Sequence, residues 1–186
     1  MILFHLLIGH ILGDFVFQPN SMIEHKKKGW QGTFFHALIV VFFTAILLYP
    51  YWGHALTWFL IGILFHLHYI QDIIKIEFDK KFNKDKSTIP FFVDQTFHIA
   101  VLYCISKALT ALSLIPLIDS IERIYYSGPL LILVIGILFS SYVWDKTKHQ
   151  FKLKKQKHLE YQADYIGMLR RIIFFCTLYL LFFMQL

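Results

Sequence analysis

Three Asp/His pairs, each four residues apart, lie in the most apolar parts of this 186-residue chain: His10–Asp14, His68–Asp72 and Asp94–His98. A four-residue step on an α-helix turns by about 400°, so both side chains of a pair stand on one face, one turn apart. Ionisable groups are expensive inside a membrane, face bundle interiors or aqueous cavities, and are functional by default. With His36, the pairs supply four imidazoles and three carboxylates. That donor set suits one or two divalent metals among Zn, Mn, Fe and Ni, with Zn or Mn foremost, and no Cys biases it towards a structural zinc site. A catalytic metal keeps a position open for water and lowers that water's pKa. The expected ligands are His10, Asp14, His36, His68, Asp72, Asp94 and His98, with Asp14, Asp72 and Asp94 as the catalytic carboxylates. Gln18, Lys75 and Gln95 are expected to orient or bind substrate, Lys75 through a phosphate or carboxylate. Two other readings use the same side chains: hydrogen bonds between helices, and a proton or ion relay.

The elements that position these residues are legible in the composition. The chain is 57% hydrophobic, 18% aromatic and 16% charged, with a mean hydropathy of +0.56. A soluble domain averages roughly 45–50% apolar and about 25% charged. The excess lies in long blocks, so the expected fold class is an all-α polytopic membrane helix bundle forming one domain over 1–186, without linker, low-complexity tract or internal repeat. Six stretches reach the ~17–25 residues that span a bilayer core: Met1–Gln18, Thr33–Tyr49, Ala55–Ile74, Phe91–Ile115, Pro129–Trp144 and Met168–Leu186. Pro19, Pro50, Pro90, Pro116 and Gly128–Pro129 punctuate them. The first block has neither a basic flank nor a small-x-small cleavage site and reads as a retained helix, not a signal peptide. Cys104 and Cys176 read as small core residues, not a disulfide framework.

Sixteen of the 18 basic residues fall in loops one, three and five; Arg123 and Lys107 are the others. The positive-inside rule then puts those loops in the cytoplasm and both termini outside. Anionic lipid headgroups account for the +6 charge, and no nucleic-acid partner is needed. This orientation uses Lys and Arg alone, yet it puts Asp14, Gln18, His36, His68, Asp72, Lys75, Asp94, Gln95 and His98 all at the cytoplasmic ends of their helices. Four helices meeting at that depth would build one polar pocket.

Rotation selects within the set. His10, Asp14 and Gln18 form a stripe, with Gly9 and Gly13 as a small-xxx-small pair on the neighbouring face. His68, Asp72 and Lys75 share a face, and His66, 200° from His68, points elsewhere. His5 and His54 lie near the outer face, away from the site. Trp30, Trp52, Trp58, Tyr49 and Tyr51 read as interfacial belt residues. Loop five, 145–171, is the one long cytoplasmic segment; Phe151, Leu153, Leu159, Ala163 and Ile166 suggest a basic amphipathic helix on the membrane or a partner-docking surface. Asp145 and His149, again four apart, read as a solvated helix end. No His-Glu-x-x-His occurs, which excludes the common membrane metallopeptidase pattern.

The run His10-x-x-Gly13-Asp14-Phe15-x-x-Gln18, then Lys27, His36, His68-x-x-x-Asp72-x-x-Lys75 and Asp94-Gln95-x-x-His98, resembles the domain-of-unknown-function 3307 family of small bacterial membrane proteins. The resemblance covers roughly residues 5–100, within the motif-bearing half 1–115. It implies a multi-pass protein of the bacterial cytoplasmic (inner) membrane and supplies no activity. The expected function is a metal-dependent hydrolase acting on a lipid or small phosphorylated substrate. The alternatives are an ion- or proton-coupled transporter and a regulatory or structural membrane partner; a homo-oligomer is compatible with each.

Overall fold

The computed structural model describes residues 1–82, 87–112, 119–153 and 161–183, and every regular element among them is helical. Helix α1 (Ile2–Ile11) runs straight into a widened π turn at Leu12–Val16. Pro19 ends it, and α2 (Asn20–Lys28) departs at 87°. Gly29 separates α2 from α3 (Trp30–Leu47), and a 3-10 turn at Tyr49–Tyr51 leads to α4 (Ala55–Phe82). After it come α5 (Thr88–Leu109), the short α6 (Asp119–Tyr125) and α7 (Gly128–Leu138). A second π turn, Phe139–Val143, joins α7 to α8 (Trp144–Leu153), and α9 (Tyr165–Phe183) closes the bundle.

Among the described residues, five helices are alone long and apolar enough to cross a membrane: Trp30–Leu47, Ala55–Phe82, Thr88–Leu109, Gly128–Leu153 and Tyr165–Phe182. The bent pair Ile2–Val16 and Asn20–Lys28 makes a sixth when taken as one span. Its first arm is only about 22 Å long at 1.5 Å per residue, against a bilayer core of about 30 Å. What the sequence suggests as loop one is therefore a helix, α2, whose last turn carries Lys26, Lys27 and Lys28. Loop three is shorter than expected, because α4 continues to Phe82; Lys84 and Lys86 lie outside the described residues, as does Pro116. Pro90 sits inside the first turn of α5, where a missing N–H costs nothing, rather than before the helix.

The surface is inverted relative to a soluble protein. Phe35, Phe42, Phe59, Ile74, Phe174 and Phe182 stand exposed, and only 6% of the α9 span is buried. Such apolar cover is what lipid tails require. The interior is layered. Ile2 and Leu6 of α1, Leu48 and Tyr51 after α3, Leu60, Ile61 and Leu64 of α4, and Leu102, Ile105 and Leu109 of α5 form one apolar cluster. Tyr51 is thus core, not belt. His5 is buried there, 3.9 Å centre to centre from the Tyr125 ring in a near-parallel stack. The polar residues occupy the opposite halves of the same four helices.

Close helix approach makes this possible. A Cβ on Gly9 would meet the Thr44 Cα at 2.9 Å, and one on Gly13 the Val40 Cα at 2.7 Å. These are backbone atoms that cannot swing aside, so the small-xxx-small face seats α1 against α3. Gly136 of α7 likewise receives the Phe175 ring of α9.

Asp145 and His149 do not form a solvated end. Asp145 is 4% exposed and accepts from Tyr161 Oη at 3.0 Å, Asp164 N at 3.3 Å and Arg171 Nη2 at 3.4 Å. Arg171 Nε also donates to the Ser140 carbonyl of the second π turn at 2.7 Å. His149 packs edge-on to Tyr161, 5.3 Å between centroids. This network clamps α9 to α8. Asp164 caps α9, accepting from Gly167 N at 2.9 Å, and that bond holds its carboxyl below the ordinary range. The expected amphipathic helix is not continuous: Phe151 and Leu153 end α8, Ala163 is non-helical, Ile166 belongs to α9, and Leu159 falls in 154–160, outside the described residues.

Candidate functional site

Four helices deliver one polar cluster. His10 comes from α1, Asp14 from the π turn that continues it, His36 from α3, His68 and Asp72 from α4, and His98 from α5; all six are less than 9% exposed. Asp94 joins from the first turns of α5. A π turn adds a residue to the helical register and is enriched at functional sites. Here it carries Asp14 and Gly13.

Asp14 Oδ1 lies 2.8 Å from His36 Nε2 and 3.4 Å from His68 Nε2. The two Nε2 atoms are 3.2 Å apart. Asp72 Oδ2 lies 3.6 Å from His36 Nε2 and 3.7 Å from His68 Nε2. Each carboxylate oxygen thus stands 2.8–3.7 Å from both imidazole nitrogens. Metal bonds of 2.0–2.1 Å would give tetrahedral edges of about 3.4 Å. Protons alone serve the set poorly: each Nε2 carries at most one hydrogen, yet His36 Nε2 faces Asp14, His68 and Asp72 together.

The remaining carboxylate extends the cluster. Asp94 Oδ1 is 3.4 Å from His98 Nε2, which lies 4.0 Å from Asp72 Oδ1. Gln95 Nε2 donates to Asp14 Oδ2 at 3.4 Å and Asp94 Oδ2 at 3.3 Å, and its Oε1 is 3.4 Å from His10 Nε2. His10 Nε2 is also 3.5 Å from Asp14 Oδ2. Three groups of ligand atoms lie within 4.8 Å of one another: His10, Asp14 and His68; His36, His68 and Asp72; and Asp72, Asp94 and His98. Shared members join the three into one centre.

Two lysines that composition could not single out enter it. Lys26 of α2 places Nζ 2.6 Å from Asp72 Oδ2, with side chains 11% and 6% exposed. The 87° bend folds α2 back to put it there. Lys146 of α8 donates to the Gln18 carbonyl at 2.9 Å and the Asp14 carbonyl at 3.3 Å, capping backbone acceptors where the helix ends. Gln18 is satisfied at both ends when its amide oxygen faces Lys26 Nζ and its nitrogen the Asp14 carbonyl, both at 3.1 Å. The sequence pattern contains Lys27, but the partner is Lys26: helix rotation within α2 decides between neighbours. Lys75 is engaged by Asp79 at 3.1 Å, one turn beyond the cluster. His66 lies outside it, its Nδ1 donating to the Gly62 carbonyl at 2.8 Å.

Fold and centre together define an all-α, multi-pass membrane protein with a buried His/Asp cluster. The chain belongs to the family described as protein of unknown function (DUF3307), whose family model matches residues 2–120. The match takes in α1 to α5, and so every His and Asp of the cluster; Asp145, Lys146 and Arg171 lie beyond it. No curated protein and no solved structure matches the chain.

Proposed function

We propose that the cluster holds a divalent metal, Zn or Mn, and that the protein is a metal-dependent hydrolase of a lipid or small phosphorylated substrate. The approach of Asp14 Oδ1 and Asp72 Oδ2 to the His36 and His68 Nε2 atoms, at 2.8–3.7 Å, carries this reading. A bound ion would polarise a water for attack on phosphorus. An Asp or His of the cluster left free of the ion would take a proton from that water, and the leaving alkoxide would take one back as the P–O bond breaks. Lys26 is paired with Asp72; an ion held by Asp72 would replace that partnership and leave the ammonium for an anionic group of substrate. Gln18 and Gln95 orient carboxylates and main chain around the ion. Lys75 is a more distant anion contact.

The family resemblance implies a bacterial inner-membrane location, and the basic loops favour both termini outside and a pocket facing the cytoplasm. Anionic headgroups, a second copy and a cytoplasmic partner at 145–171 are the associations this arrangement offers. The apolar layer of Leu6, Leu64 and Leu102 above the cluster favours a one-sided reaction site over a transport path.

The test is metal analysis of detergent-purified protein beside an Asp72→Ala/Asp94→Ala double variant, followed by phosphate-ester hydrolysis. We expect bound Zn or Mn in the wild type, loss of most of it in the variant, and hydrolysis that follows the metal. Equal metal in both proteins, or none in the folded wild type, sinks the reading.

A further inference from the structure

Resting on the metal reading above, we infer a second ion site, made by Asp94 and His98 and joined to the first through Asp72. The two oxygens of Asp72 belong to different ligand groups. Oδ2 faces His36 and His68 at 3.6 and 3.7 Å, and Oδ1 faces His98 at 4.0 Å. A carboxylate whose oxygens point into neighbouring sets is the usual bridge of a two-metal centre, in which ions stand about 3.5–4 Å apart.

His98 supplies an independent observation. It is 2% exposed, and its Nε2 completes no hydrogen bond of good geometry, Asp94 Oδ1 standing off at 3.4 Å. Buried polar atoms are seldom left so. The carboxylate neighbours of Nε2 are Asp94 Oδ1 at 3.4 Å and Asp72 Oδ1 at 4.0 Å. That spacing suits ligands arranged around a common ion, whose tetrahedral edges are about 3.4 Å. Asp72, Asp94 and His98 form a group of their own within 4.8 Å.

Gln95 completes the division of labour. Its amide nitrogen takes Oδ2 of both Asp14 and Asp94. Oδ1 of Asp14 is thereby turned towards His36 and His68, and Oδ1 of Asp94 towards His98. One side chain of α5 thus orients a carboxylate for each site, and His10, 3.4 Å from Gln95 Oε1, steadies it. Charge names the substrate class. One dication no more than balances three carboxylates against Lys26. A second leaves the pocket positive, which suits a phosphate monoester dianion whose oxygens span both ions.

The experiment uses the full chain in detergent, stripped with chelator and reloaded with Mn²⁺. Metal per chain and electron paramagnetic resonance are read together. We expect two Mn²⁺ per wild-type chain with an exchange-coupled spectrum. His98→Ala and the near-isosteric Asp94→Asn should each hold one, with an uncoupled six-line signal. One Mn²⁺ per wild-type chain, unchanged in both variants, overturns the second site and leaves the single-ion reading standing. Two uncoupled ions overturn the Asp72 bridge. No Mn²⁺ in folded wild type overturns both readings.

Discussion

Lys26 and Asp72 form an ion pair at 2.6 Å, nearly out of reach of water. Removing one partner of such a pair typically costs about 3–5 kcal/mol, because the other charge stays buried and uncompensated. Lys26→Met should therefore lower the melting temperature of chelator-treated protein. Mn²⁺ should then raise it by more than it raises the wild type, since the ion meets a carboxylate with no competing ammonium. Equal shifts in the two proteins would mean that lysine and metal do not share Asp72. Asp145 makes a contrasting case. Its partners, Tyr161, Asp164 and Arg171, already satisfy it, so its part is to hold α9. Asp145→Ala should destabilise the protein in a thermal scan and leave metal per chain unchanged; lost metal would place it in the site.

Among the elements, α1 packs against α3, α5 and α7, and its π turn against α3. Gly13 meets Val40 backbone closely enough that no side chain fits, whereas nothing lies within 4 Å of a Cβ on Gly62 in α4. Gly13→Leu should thus separate α1 from α3 and abolish metal retention and monodispersity on size exclusion. Gly62→Ala should be tolerated, and should stabilise by about 0.8–1.0 kcal/mol from helix propensity alone. A Gly13→Leu protein with wild-type melting and metal content would refute close packing as the device that assembles the centre. Spacing alone made the α1, α4 and α5 positions legible, because a helix repeats its face every three to four residues, whereas the lone His36 of α3 was picked out by depth. It could not reveal that α2 is a helix folded back at 87°, since that bend depends on what α2 packs against.

At the scale of the whole molecule, the inverted surface and layered interior make topology testable. Lys81 at the end of α4 and Gly53 before its start lie on opposite sides of the membrane in the proposed orientation. In a chain with Cys104 and Cys176 replaced, Lys81→Cys should resist an impermeant thiol reagent applied to intact cells, and Gly53→Cys should react. The reverse pattern would invert the orientation and face the pocket outward.

By itself the sequence determined the class of protein, the helices that carry chemistry, and which His and Asp share a face. These follow from apolar length and helical period, which are local properties. The placement of Lys and Arg also led to the expectation that these groups lie at one depth, and the structure brings them into one cluster. Tertiary structure decided the rest. It chose Lys26 over Lys27, brought Lys146 from beyond the family match to the Asp14 turn, and turned Asp145 from a helix end into a clamp. It also split the Asp72 oxygens between two ligand groups. Each of these depends on bends, π turns and rotations set by packing against a distant helix, and no local pattern encodes that.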